Sequence, residues 1–147
     1  MIQLRRARRQ DCRIIFEWRN HPSVRTHFFD PRQIPYEEHT RWFEEALQRE
    51  DRIILIASEE DQPVGVLRFD LADEPTGGAA EIDVYVAPER QGKGLGRKIL
   101  QEGERWVRRN TGIRILAAKV KEENETSLGM FGACGFEVTY IHLSKRI

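Results

Sequence analysis

The sequence is poor in cysteine, in net charge and in long apolar runs, and each shortage removes a class of protein. Only Cys12 and Cys134 occur, far apart and outside any C-x-x-C pair, so neither a disulfide framework nor a zinc site is indicated and no metal is expected. Lysine plus arginine and aspartate plus glutamate both number 24. No global field therefore draws the chain to nucleic acid or membrane, and any anion site must be local. Arg5, Arg6, Arg8 and Arg9 read as a solvated strand edge and loop, and the "QDCRIIFEWRN" behind them is too interrupted for a signal peptide or membrane span. A cytoplasmic protein is expected. No repeat, linker or low-complexity tract divides the 147 residues, 39% of them apolar, so one domain over 1–147 with a real core is expected.

What the sequence does have is periodicity. "IQLRRA" alternates as a first strand, and Ile14, Ile15 and Trp18 then recur at helical spacing until the break at Asn20 to Pro22. Glu37 to Arg49 sets His39, Trp42, Phe43, Ala46 and Leu47 on one inward helical face, which makes His39 a packed histidine rather than a ligand. "RIILIAS" and "PVGVLRFDL" read as a hairpin, and the turn-rich "ADEPTGG" leads to a fourth strand, "AAEIDVYVAP". There Ile82, Val84 and Val86 face one side while Glu81, Asp83 and Tyr85 face the other. Leu95, Ile99, Leu100, Trp106 and Val107 stripe the next helix, "IRILAAKV" is a fifth strand, and Asn124 caps a helix that Gly135 ends. "FEVTYIHL" supplies a last strand. The class is α/β with mixed pairing and about four helices.

Between the fourth strand and its helix stand Gly92, Gly94 and Gly96. A glycine-rich strand-to-helix turn lets backbone N–H groups converge where the helix N-terminus adds roughly half a positive charge, which suits phosphate. Lys93 and Arg97 add charge at the rim. The spacing fits neither G-x4-G-K-[ST] nor G-x-G-x-x-G.

The stretch Gln91-Gly92-Lys93-Gly94-Leu95-Gly96 instead resembles the pyrophosphate loop, Q/R-x-x-G-x-G/A, of GCN5-related N-acetyltransferases, which follows a V-x-V-x-P strand like Val84-Tyr85-Val86-Ala87-Pro88. A second family segment, N-x-x-[AS]-x-x-[LF]-Y-x-x-x-G-F, lines up with Asn124, Ser127, Met130, Phe131, Gly135 and Phe136. The resemblance implies a mostly antiparallel, twisted sheet splayed between strands 4 and 5, with acetyl-CoA as acyl donor and its pantetheine arm in the splay. It further implies that Val84, Tyr85 and Val86 offer backbone groups to that arm, that Gln91 to Gly96 with Arg97 hold the pyrophosphate, and that Asn124 and Phe131 meet the arm from the other side.

Acetyl transfer to an amine needs a neutral nucleophile, a donor for the thioester oxyanion and a proton for the departing thiolate. The resemblance, through Ala80-Glu81-Ile82, implies Glu81 as base, with Asp83 the alternative on the same face and a plain ion pair the purely structural reading. A backbone N–H of Val84 or a neighbour suffices for the oxyanion. The family's usual tyrosine acid is here Phe131, so the proton comes from water or the incoming ammonium, from Cys134, Ser127 or Tyr140, or else the chain is a catalytically silent acyl-CoA-binding module. "EWRNHPSVR" and "EEHTRWFEE" resemble the subgroup acting on nucleotide-linked amino sugars, pseudaminic acid pathway enzymes included, and in part the ribosomal-protein N-terminal acetyltransferases. An amine of a nucleotide-linked aminodeoxysugar is therefore the expected acceptor, a protein N-terminus the alternative. Trp18, His27, Phe28 and Phe29 are candidates to stack on it, and Asn20, Arg25 and Arg68 to meet its hydroxyls or phosphate. Trp18 and Trp42 are each expected in the core. The protein is expected to act as a monomer or homodimer.

Overall fold

The computed structural model describes residues 1–72 and 78–147. The chain opens with β1 (Ile2–Arg6), a 3-10 turn (Arg9–Asp11), α1 (Cys12–Asn20), α2 (Pro22–Arg25) and α3 (Tyr36–Gln48). There follow β2 (Arg52–Glu59), β3 (Gln62–Leu71), β4 (Ala79–Val86), a second 3-10 turn (Pro88–Arg90), α4 (Leu95–Asn110), β5 (Ile115–Ala117) and α5 (Glu125–Ala133). The strands form one sheet in the order β1-β2-β3-β4-β5, antiparallel except for the parallel β4–β5 pair.

Alternation along the strands builds two cores, one on each face of the sheet. Leu55, Leu67, Phe69 and Ile82 meet the Leu95, Ile99, Leu100 and Val107 stripe of α4. On the opposite face Ile54, Ile56 and Val66 meet Ile15 and Trp18 of α1 and Phe43 and Ala46 of α3. β2 is buried on both faces, which is why Ile53 to Ala57 reads as an unbroken apolar run. Gly103 lets α4 lie close, since a Cβ there would stand 2.5 Å from a Leu67 methyl. Asp11 is buried, held by Nη1 and Nη2 of Arg5 on β1 at 2.8 Å and by the Arg8 amide at 2.7 Å.

Several expectations are corrected. The break at Asn20 to Pro22 is followed at once by α2, whose first residue is Pro22 and whose cap is His21, its Nδ1 accepting from the Ser23 amide at 3.2 Å. Among the described residues there are thus five α-helices, the one-turn α2 added to the about four expected. The fifth strand keeps only Ile115–Ala117 of "IRILAAKV", and residues 136–143 form no strand. A strand exists only where a ladder partner runs beside it, and Val138, Tyr140, Ile141 and Leu143 instead face solvent. Of the turn "ADEPTGG", residues 73–77 lie outside the described residues. No helix among the described residues is long and apolar enough to cross a membrane.

Candidate active site

The β4–β5 pairing ends at Glu81 opposite Ala117, whereas β4 runs on to Val86 with β3 on its other side. Along Ile82 to Val86 one edge of β4 therefore lacks a ladder partner among the described residues, and the sheet opens there as a splay. The loop beyond is tied back by Gln91, whose Nε2 donates to the Val86 carbonyl at 3.2 Å. Gly92 and Gly94 have φ of +77° and +73°, a left-handed backbone that costs other residues energy, and an added Cβ at either would meet nothing within 4 Å. They shape an open concavity under the first turn of α4, whose amide N–H groups have no partner within the helix. That turn carries no acid, and Lys93 and Arg97 lie exposed beside it. These features fit a pyrophosphate. Gly96 serves a different end: its Cβ would come within 2.9 Å of Met130 Sδ, so it seats α5 against α4. Leu95 is a buried anchor.

On the polar face of β4, a cavity of about 240 Å³ opens between α1, the segment 26–35, α3 and the sheet. Its walls combine Phe28, Trp42 and Tyr85 with Arg19, Arg32, Arg68, Glu38 and Asp83, over a floor of Ile15, Ile54 and Val66. Phe28 stands edge-on to Tyr85, centroids 5.8 Å apart. Arg68 is shared by Asp70 at 3.2 Å and Asp83 at 3.0 Å, and Arg32 is held by Asp30 and Glu38. Burial pushes the Asp83 carboxyl above its ordinary range, against the opposing pull of Arg68 and with the help of Glu81 and Asp70. Burial likewise raises Tyr85 well above an ordinary phenol and lowers His39, which is therefore neutral and donates Nε2–H to the Cys12 carbonyl at 3.1 Å.

The sequence profile of the Acetyltransferase (GNAT) family matches residues 15–136. The chain belongs to this acetyltransferase family. It is 27% identical over 122 residues to the acetyltransferase PseH of Campylobacter jejuni, which spans 83% of this chain and 74% of that protein. It is 31% identical over 143 residues to the L-amino acid N-acyltransferase MnaT of Escherichia coli, covering 94% and 81% of the two chains. The solved structure of yncA from Salmonella typhimurium with its cofactor acetyl-CoA superposes with a TM-score of 0.76 at 27% identity, over 95% of this chain and 82% of that one. This GNAT protein is an N-acetyltransferase that takes acetyl-CoA as its acyl donor.

Within that GNAT frame the expected residues separate. Val84, Tyr85 and Val86 lie on the open edge of β4, and Gln91 to Gly96 form the glycine loop. Asn124 caps α5, its Oδ1 accepting from the Ser127 amide at 3.2 Å and its Nδ2 meeting Ser127 Oγ at 3.0 Å. Phe131 is only 8% exposed and packs edge-on against Phe136 in the α4-side core. Glu81 points to the same face as Asp83 yet does not line the cavity; its Oε2 lies 3.3 Å from Lys119 Nζ. Of the expected acceptor residues, Phe28 and Arg68 line the cavity. Asn20 and Arg25 are not among its lining residues and instead bond to the segment that walls it. Asn20 both donates to the Ile34 carbonyl at 2.8 Å and accepts from its amide at 2.7 Å, while Arg25 donates to Pro31 O at 3.0 Å. His27 is not among the lining residues. Trp18 is core, as expected, but Trp42 is half-buried and lines the cavity. Sequence reading missed Arg19, although "WRN" placed it one helical residue from Trp18.

Proposed function

We propose that the protein acetylates the primary amine of a nucleotide-linked aminodeoxysugar, bound in the cavity beside β4. The observation that carries this reading is the cavity itself: aromatic faces from Phe28, Trp42 and Tyr85 suit a sugar or base, and carboxylates and guanidinium groups among them suit hydroxyls, an amine and a phosphate. The likeness to PseH supports it. Acetyl-CoA would be held by the open edge of β4 and the amides of 92–96, and it supplies the activated thioester.

Both carboxylates have a cationic partner, Arg68 for Asp83 and Lys119 for Glu81, but Asp83 takes the role of base because it alone of the two lines the cavity, and its raised pKa suits proton abstraction. Asp83 removes a proton from the acceptor ammonium, a free N–H on the splayed edge near Val84 meets the thioester oxygen, and the C–N bond forms as the C–S bond breaks. The second proton that the nitrogen sheds as it becomes an amide passes through water to the departing thiolate, so free thiol and protonated Asp83 are left, and Asp83 returns its proton to solvent. A tyrosine is not needed for this, because a thiolate leaves readily and lost acid assistance typically costs on the order of 100-fold.

A second reading, transfer to an L-amino acid, is favoured by the 31% identity to MnaT over nearly the whole chain. A thiol-release assay over nucleotide amino sugars, free amino sugars, L-amino acids, peptide N-termini and spermidine decides between them. The first reading expects the highest kcat/KM for a nucleotide amino sugar; amino acids surpassing it by tenfold would replace it with the second.

A further inference from the structure

We infer that Arg19 is the residue that selects the acceptor, by binding an oxyanion, carboxylate or phosphate, on the amine's own molecule. This rests on the reading of the β4 cavity as the acceptor site and goes beyond it by fixing the charge the acceptor must carry.

Three guanidinium groups line the cavity, and two are neutralised within the protein. Arg32 lies between Asp30 and Glu38, and Arg68 between Asp70 and Asp83. Arg19 has no ion pair among the described residues. Its Cζ lies 3.8 Å from the Phe28 ring centroid, and its Nη2 donates to the Asp30 carbonyl at 3.1 Å. Its Nη1 is buried without a hydrogen-bond partner.

A guanidinium stays charged in a protein, and an unmet buried N–H on a charged group costs more than a neutral one. The stack on Phe28 and the bond to Asp30 hold the fork fixed, so little order is lost when an oxyanion meets it. Burial works against the positive form of Arg19, and the nearby Asp30 and Asp83 work for it, so Arg19 and Asp83 share one field. An acceptor with an ammonium toward Asp83 and an oxyanion toward Arg19 would satisfy both. A polycation such as spermidine would leave Arg19 unmet and add a like charge.

The test uses acceptors in matched pairs: an L-amino acid against its carboxamide, and a nucleotide amino sugar against the free amino sugar. Wild type is expected to favour the anionic member of at least one pair, and which pair responds identifies carboxylate or phosphate. Arg19→Gln should lower kcat/KM for that anionic member by about 10- to 100-fold more than for its neutral partner, the size of a lost charge-assisted hydrogen bond, so that the preference for the anion collapses. Arg19→Lys, which keeps the charge without the fork, should fall between. Unchanged acetyl-CoA affinity by calorimetry shows that both variants are folded. Equal losses for both members of a pair, or wild-type indifference to the anion, would overturn the role of Arg19 while leaving the acceptor cavity standing. Thiol release confined to peptides or spermidine would overturn the acceptor reading and this one together.

Discussion

Asp83 and Glu81 share a face of β4 but not an environment, and the difference is testable at single residues. Asp83→Asn should lower kcat by about 100-fold or more with acetyl-CoA affinity unchanged, and Glu81→Gln should stay within a few-fold. Equal losses would return the base to Glu81 or a water relay. The pH dependence has a definite sign. Because burial raises the Asp83 pKa in the folded state, turnover falls as pH drops through a value above the usual carboxylate range. The same shift means that ionised Asp83 costs stability once pH passes its unfolded value of about 3.9. The substitution also breaks the Asp83–Arg68 pair, so the expected signature is the pH dependence: the stability of Asp83→Asn relative to wild type should improve as pH rises from ~4 to 7. Asp11 shows the opposite case: burial alone would raise it, but the bonds from Arg5 and the Arg8 amide win and hold it below its ordinary value. Its contribution to stability is present at neutral pH and is lost as pH falls through that depressed pKa.

At the scale of elements, the first turn of α4 depends on two left-handed residues. Gly94→Val would force a branched side chain into φ near +73°, in space that the donor's phosphates would enter. Calorimetry should show acetyl-CoA affinity reduced at least tenfold, and wild-type affinity would remove the loop from the donor site. That turn was legible in the sequence because glycine at alternate positions before an amphipathic helix has few other uses. The strands of the hairpin and β4 were legible because each buries two faces or one in strict alternation. The stretch 136–143 alternates from Phe136 to Tyr140 and yet is no strand: alternation reports what a segment can bury, and only a neighbouring backbone can make it a ladder. Trp42 was misread for a related reason. Its place on the α3 stripe fixed its direction, but whether a half-buried face meets a core or a cavity depends on the segment 26–35 opposite, which carries no periodicity.

At the scale of the molecule, the sheet separates two duties. The α4 side supports the glycine loop, and the α1 and α3 side supports the cavity proposed for the acceptor. Two fully buried residues test that separation. Leu100→Ala, on the buried face of α4, should cost about 2–5 kcal/mol and leave the acceptor KM unchanged. Phe43→Ala should cost about 3–5 kcal/mol and also raise the acceptor KM, because the Phe43 ring stacks on His39 of the cavity wall, centroids 5.9 Å apart. Both are to be measured where each variant is fully folded. An equal rise in acceptor KM for both would mean that the two cores behave as one.

The pair of hydrogen bonds between Asn20 and Ile34 closes the intervening chain into a loop with its ends side by side. A segment closed in this way can be lengthened or replaced at small entropic cost, roughly 0.6 kcal/mol for each doubling of its length. Phe28 and Arg32 ride on that loop, whereas Asp83, Tyr85 and the glycine turn do not. That side of the cavity wall is thus a closed cassette, its ends clasped by Asn20 and its middle steadied by Arg19 at Asp30 and by Glu38 at Arg32, so residues 21–33 can be recast without touching β4 or the glycine turn.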